Sequence, residues 1–416
     1  MTAARRLRSW LEGRSQPGLL VFDNAASADV LMPWIPATGR TQVVITGNHQ
    51  ALGRLGYLVQ VDVYTPAEAV AYLNRASGRV DVAGATAVAD ELGCLPLAVA
   101  QAAAVIAAQR LDYATYLERL RRQPVVSYLA RSEGDPYTRG TAEAILLSLA
   151  EVEDRDPAGL CRPVIELLAI LSPAGVPRRL LHQACQDRSL TCSGRRRQPT
   201  KPIAAVEVDA AVQRLDEASL LSLSVDGLTT TVHRLVMRVV RERAEDKGSL
   251  TAVAAAAADL LRRQLAVPRE QTWAHHAATG EIITQTTALW ENTSGYLTAT
   301  ESVHDDGSTI RKVLSLRLKA VWYLNEISDP TRATLLGEDL VADCRRLLGD
   351  DHPDTVGTRS NLARAYQSAG RLDEAIALHE RVLADCQRLL GEDDPRTETA
   401  HRNLDAARRL LLPPGI

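Results

Sequence analysis

Over the first third of the chain, short apolar runs closed by turn residues are separated by segments with helical spacing. Gly18–Phe22, Gln42–Ile45 and Tyr57–Val63 read as three buried strands: each is brief, rich in β-formers and bounded by Gly, Pro, Asn or Asp. The helical patterns between and after them predict parallel strands with crossover connections. Thr65-Pro66-Ala67-Glu68 is a helix start, with a capping hydroxyl, proline in the first turn and glutamate three residues past the cap. Apolar spacing carries that helix to about Ser77, and Gly78 is placed to end it. From Val82 onward helices dominate, broken at Gly93, Pro124, 134–136, 172–175 and an arginine-rich stretch at 194–202. A strand-like segment, Leu228–Val232, runs into a further helix at His233.

The C-terminal third repeats. Leu348-Gly-Asp-Asp-His-Pro-Asp-Thr355 returns as Leu390-Gly-Glu-Asp-Asp-Pro-Arg-Thr397, a displacement of 42 residues. Asp343-Cys344 matches Asp385-Cys386 and Asn361-Leu362 matches Asn403-Leu404 in the same phase. A fixed period of this size means stacked helix pairs. Within one unit Leu362, Ala363, Tyr366, Gly370 and Ala375 give helix, tight turn and helix, with small residues where the two cross. The unit resembles the long, 42-residue tetratricopeptide repeat of kinesin light chains. About one and a half units are clear, so helices within 250–330 are expected to extend the stack.

Composition narrows the class. A chain of 416 residues is long enough for two to four domains, and 46% hydrophobic with 24% charged residues suits packed cores. No apolar run reaches the roughly 18 residues of a membrane helix, and the polar start MTAARRLRSW is no signal peptide, so no membrane role is expected. Six scattered cysteines without a CxxC pair speak against structural zinc and a disulfide framework and fit a reducing cytoplasm. The net charge of −3 disfavours a nucleic-acid binder acting with its whole surface. With aromatics at 4%, the cores must come from Ala, Leu and Val, which favours helices.

Candidate chemistry starts at Leu19-Leu-Val-Phe-Asp-Asn24, an apolar strand whose Asp23 falls at the carboxyl end, where α/β sheets bind ligands. Thr46-Gly-Asn48 follows the second strand, then come Glu91-Leu-Gly-Cys-Leu-Pro-Leu-Ala98 and Val232-His-Arg-Leu-Val236. That order of motifs, ending in tetratricopeptide repeats, resembles the NB-ARC branch of the STAND signalling ATPases, bacterial members with repeat sensors most of all. The resemblance implies a mainly α protein with a small α/β part. Its segments would be a partial P-loop NTPase (NB-ARC) sheet over 1–80, a helical subdomain over 81–155, a winged helix over 156–248 and an α-solenoid of tetratricopeptide-type helix pairs over 249–416. It implies ADP or ATP with Mg²⁺ as cofactor and a switch between a closed ADP state and an assembling ATP state. Asp23 would be the Walker B carboxylate on Mg²⁺, with Thr46 at the end of the neighbouring strand. Pro96 would pack on adenine between Leu95 and Leu97, and His233 would contact the ADP phosphates. Plain structural roles stand beside these: Pro96 as a helix break next to Gly93, His233 as a helix cap, Thr46 and Asn48 as turn residues. The family commonly carries an arginine where Asn48 falls, and asparagine lacks that charge.

No G-x-x-x-x-G-K-[ST] occurs in these 416 residues, and no lysine precedes position 201. Nothing here therefore supplies the backbone cradle and point charge for the β- and γ-phosphates. The chain reads as an N-terminally shortened member, and tight nucleotide binding by it alone is not expected. In the family fold as read here a further strand lies between LLVFD and VVIT, so those two strands are expected to keep unpaired inner edges. No G-x-S-x-G elbow involves Asp23, His49 or the serines. His275-His276 and His304-Asp305 lack the spacing of a helical zinc pair, and Arg195–Arg197 with Lys201 reads as a flexible basic insertion. The leading functional expectation is a cytoplasmic STAND-type signalling protein whose repeats capture a protein or peptide, with self-association. The alternatives are a nucleotide-independent repeat adaptor and a winged-helix transcription regulator; nucleic acid is not the expected partner.

Overall fold

The first two apolar runs become β1 (Gly18–Phe22) and β2 (Thr41–Ile45). The computed structural model describes residues 3–23, 25, 27–47, 50–59, 61–122, 124–125, 140–187, 203–265, 276–303 and 307–411. The two strands pair directly and in parallel, from Gly18 opposite Thr41 to Phe22 opposite Ile45. The expected unpaired inner edges do not occur, because each strand satisfies its backbone groups on the other. Period-two alternation puts Leu20, Phe22, Val43 and Ile45 on a half-buried face and leaves Leu19, Val21 and Val44 exposed.

The third expected strand is absent. Residues 57–59 and 61–63 are coil, with Tyr57 95% and Val61 91% exposed. Apolar character alone does not make a strand, since a ladder needs a partner edge. Here β1 and β2 have used one edge each on one another. The Val63 amide turns to its neighbour's Asp62 carboxylate at 2.8 Å, and the Tyr64 amide donates to the Cys94 carbonyl at 3.0 Å. The run is an extended connector from sheet to helices.

Helices account for most of the rest. In chain order they are α1 (Ala3–Glu12), α2 (Ala28–Leu31), α3 (Pro66–Ser77), α4 (Val82–Glu91), α5 (Pro96–Gln109), α6 (Tyr113–Arg122) and α7 (Thr141–Asp154). Next come α8 (Cys161–Ile170), β3 (Val176–Pro177), α9 (Arg178–Gln186), α10 (Ala205–Glu217), β4 (Ser222–Leu223), β5 (Thr229–Thr231) and α11 (Arg234–Asp246). The series ends with α12 (Leu250–Gln264), α13 (His276–Thr300), α14 (Thr309–Glu326), α15 (Pro330–Leu348), α16 (Pro353–Ser368), α17 (Leu372–Leu390) and α18 (Pro395–Leu411). The described residues form two compact units, 3–165 with 205–240, and 166–187 with 203–204 and 241–411. Among the described residues no helix is long and apolar enough to cross a membrane.

In the first unit, α3 begins as its sequence dictates. Thr65 Oγ1 accepts from the Glu68 amide, the Glu68 carboxylate accepts from the Thr65 amide, and Gly78 closes the helix at φ +70°. Leu73, Val88, Leu92, Val99, Ile106 and Tyr116 form a core between α3 and α6. Alanines 98, 102 and 103 on α5 let its neighbours approach closely. Inside it the Tyr113 hydroxyl reaches Asn74 and Ser77 at 2.9 Å, and Gln101 Oε1 accepts from Thr141, while among the described residues the Gln101 Nε2 has no partner. The expected strand before His233 is present as β5, which pairs antiparallel with β4.

In the second unit α12, α13 and α14 pack in succession and α14 packs on α15, so the helices of 250–330 do extend the stack. The 42-residue period then shows in side-chain detail. Thr355 Oγ1 donates to the Gly349 carbonyl at 2.8 Å, and Thr397 Oγ1 does the same to Gly391. Both glycines have φ +91°. Arg317 pairs with Asp343 at 2.7 Å and, 42 residues on, Arg359 pairs with Asp385 at 2.8 Å, both guanidinium groups being buried. Arg317 also stacks on Trp290, 4.9 Å from its centroid. The next position of this series is His401, which is exposed. On α18 the stripe Thr397, Ala400, Leu404 and Ala407 is buried, whereas Arg402, Asp405, Arg408 and Arg409 are exposed.

His379 on α17 is fully buried, and among the described residues neither ring nitrogen has a hydrogen-bond partner. Burial, then the nearby Arg364 charge, lowers its pKa below the ordinary 6.5. The unfolded chain takes up a proton below about pH 6.5, which the folded site resists. Stability is therefore unaffected above that pH and falls as the pH drops toward the folded value. His379→Leu is expected to raise the denaturation midpoint at neutral pH by about 1 kcal/mol equivalent. It is also expected to flatten the acid limb between about pH 6.5 and 5; an unchanged acid limb in urea melts excludes His379 as its source.

Candidate functional site

The parallel register puts Asp23 and Thr46 side by side just beyond the carboxyl ends of β1 and β2. Thr46 Oγ1 donates to Asp23 Oδ1 at 2.6 Å. The Thr46 amide donates to the Phe22 carbonyl and the Ala25 amide to the Thr46 carbonyl, each at 2.8 Å, so the two strand ends are laced together. Gly47 is required by this lacing: a Cβ there would meet the Ala25 carbonyl at 2.7 Å and Leu52 at 2.4 Å. Asp23 itself is exposed. Asn48 and His49 lie outside the described residues, as do Asn24, His275, His304, Asp305, Arg195–Arg197 and Lys201.

Pro96 opens α5 as its first residue, following two consecutive left-handed residues, Gly93 at φ +61° and Cys94 at φ +58°. Its ring needs no backbone donor at that position, which satisfies the helix-break reading. Leu95 and Leu97 are half-buried beside it.

His233 comes to this same turn from 140 residues away. Its Nε2 lies 2.7 Å from the Gly93 carbonyl oxygen, and its Nδ1 accepts from the Leu235 amide at 3.2 Å. Acceptance at Nδ1 makes Nε2–H the donor to Gly93, so the ring is the neutral Nε2–H tautomer. Burial pushes its pKa down, the Gly93 carbonyl opposing in part. The cap reading of His233 is thus realised, and the same ring also clamps the α4–α5 turn. Leu235 and Val239, one turn apart on α11, enter the α3–α6 core. Arg238 donates to the Leu120 carbonyl and lies 4.0 Å from Glu91, which also holds Arg121 at 2.9 Å. The N-terminal half of α11 is therefore fastened to α4, α5 and α6 by one imidazole, two aliphatic side chains and a shared carboxylate.

The structure joins Asp23 to Thr46, and His233 to the turn preceding Pro96, as two separately built pairs. Sequence inspection missed Gly93 and Glu91 as partners. The available signal was the glycine in LGCLPLA, read only as a break, although a left-handed turn with no room for Cβ is what frees its carbonyl for His233.

As a nucleotide site this donor set does not fit. Asp23 offers one carboxylate whose Oδ1 is already hydrogen-bonded, and both His233 nitrogens are used within the protein. Among the described residues no group of three His, Cys, Asp or Glu side chains could hold a metal ion. No chemical step is derived through a nucleotide.

Two stretches, 313–354 and 355–396, match the family model of the tetratricopeptide repeat. The first matched unit begins at 313, earlier than the one and a half units legible in the sequence. No curated protein matches the chain.

Proposed function

We propose that this protein is a regulatory recognition protein of the NB-ARC/STAND kind. Its repeats capture a protein or peptide, and its first unit is a switch held closed by His233 on Gly93. The observation that carries the recognition role is the repeated buried arginine–aspartate pair of 313–396, which fixes a rigid stack of helix pairs able to present one continuous surface. What supports the switch is that two motifs of the resemblance, LGCLPLA and VHRLV, interlock through His233, Leu235 and Arg238. A two-state element of this kind responds to a partner only through differential affinity for its latched and unlatched forms. Five described cysteines are free and buried, which supports a reducing, cytoplasmic setting.

The adaptor reading, in which the repeats work without nucleotide, draws on the engagement of Asp23 and His233 with their own chain. Calorimetry with Mg-ADP and Mg-ATP on the full chain tests the phosphate site. Weak or no heat is expected, and submicromolar binding to this chain would overturn the account of the phosphate site. Cross-linking of the full chain to its captured partner is expected to map to 313–411. Cross-links confined to the first unit would remove the recognition role from the repeats, and salt-dependent binding of duplex DNA would favour a winged-helix regulator instead.

A further inference from the structure

Two β-competent elements of the first unit are left unfinished by the fold. The first is the β1–β2 sheet. Among the described residues no further strand pairs with the outer edge of β1. Leu19 and Val21, on the open face of that strand, are 65% and 52% exposed, beside the exposed Val44 of β2. The second element is the connector from Tyr57 to Val63. Positions 57, 59, 61 and 63 are Tyr, Val, Val and Val, the alternation of a strand, and all four side chains are exposed. Among the described residues the amides of Leu58, Val59, Val61 and Asp62 have no hydrogen-bond partner.

Open edges in natural sheets are guarded by a charge, a proline or a bulge. None of these guards stands here. Gly18–Phe22 and Thr41–Ile45 contain no charged residue and no proline, and their pairing runs through all five residues without interruption. The connector carries a single charge, on Asp62, whose carboxylate is turned back onto the Val63 amide.

The two elements fit one another but do not meet within one molecule. The connector runs to the turn before α5, where the Tyr64 amide is fastened to the Cys94 carbonyl, and β2 pairs only with β1. Every molecule therefore holds one unguarded acceptor edge and one unguarded strand donor, in equal number and of matching length. Of the two outer edges β1 is the better acceptor: its open face presents two aliphatic side chains, whereas that of β2 presents Gln42 and Val44.

We propose that two copies of this chain pair by exchanging the connector, each adding its Tyr57–Val63 as a strand at the outer edge of β1 in the other. Main-chain hydrogen bonds satisfy the free amides, and Val59 and Val61 come to lie beside Leu19 and Val21 on a shared apolar face. Each copy gives one strand and receives one, so the assembly closes as a two-fold pair. The inference stands apart from the nucleotide and recognition readings, since it uses neither His233 nor the repeats.

The test is sedimentation velocity of the full chain over a series of protein concentrations, where a monomer–dimer equilibrium is expected. Val59→Lys with Val61→Lys is expected to weaken dimerisation at least about tenfold, and Leu19→Lys to do so from the acceptor side. Val80→Lys, equally exposed between α3 and α4, is the control expected to leave it unchanged. Hydrogen exchange on the unaltered chain needs no variant: the connector amides are expected to gain protection as concentration rises. In a mixture of Leu19→Cys and Val61→Cys chains, a short bismaleimide is expected to link unlike copies, because cross-strand neighbours stand about 5 Å apart. A monomer at every concentration, a dimer indifferent to the lysines at Val59 and Val61, or a dimer without added connector protection each overturns the exchange. Linking no stronger in the mixture than in either variant alone overturns the β1 edge as acceptor.

Discussion

Arg359→Ala is expected to destabilise the repeat stack by about 3–5 kcal/mol, the cost of removing one partner from a buried ion pair. Arg359 is 1% exposed and reaches out of α16 in two directions. It donates to Asp385 on α17 at 2.8 Å, and to both the carboxylate and, at 3.1 Å, the carbonyl of Asp350 in the preceding linker. One guanidinium thus ties helix, helix and linker at a point shielded from water. Its loss leaves the poorly exposed Asp385 carboxylate with only the longer and more exposed contact to Arg388 at 3.3 Å, and opens a cavity beneath it. Lysine does not replace it, because a single ammonium cannot span two carboxylates with the fork of a guanidinium. The measurement is urea unfolding together with amide exchange in α16–α18. A loss below about 1 kcal/mol would mean that the pair is solvated in solution. Arg364→Ala, at a more exposed ion pair with Glu326, is the control expected to cost less.

Gly93→Ala carries the second large effect. The residue sits at φ +61°, where a side chain costs about 1–2 kcal/mol, and an added Cβ would lie 2.3 Å from the His233 ring. The ring must move, which breaks its hydrogen bond to the Gly93 carbonyl and disturbs Leu235 in the core. The sum is expected to be on the order of 3–4 kcal/mol. His233→Ala removes the same hydrogen bond without the clash and is expected to cost about 1–3 kcal/mol. The double variant should then cost clearly less than the sum of the two singles, since the second change relieves the collision created by the first. Strict additivity in the cycle would show that His233 does not rest on Gly93 in solution. With the imidazole neutral in the fold and its pKa lowered, the latch adds to the acid sensitivity set by His379. His233→Ala should therefore also reduce the loss of stability of the first unit below about pH 6.5.

The local signals were accurate where the chain decides matters locally. The capping box at Thr65–Glu68, the end of α3 at Gly78, the strand before His233 and the 42-residue period are all written in neighbouring residues. The Tyr57–Val63 run shows the limit. Its β-forming composition is real, but pairing depends on a partner edge that is not encoded within seven residues. The direct pairing of β1 with β2 was likewise misjudged, because which strand neighbours which is a property of the sheet. In the site, residue types could nominate His233 and Pro96 but could not say that the imidazole meets a carbonyl 140 positions back.

Taken alone, the amino-acid order determined a mainly helical protein with short strands near its start and stacked helix pairs in its last third, since periodicity, caps and repeats act over a few turns of chain. The tertiary structure decided that Asp23 meets Thr46, that His233 closes on Gly93 and that Arg359 bridges three elements. Each of these follows from groups distant in sequence meeting where water is excluded, and only the folded backbone fixes which groups those are.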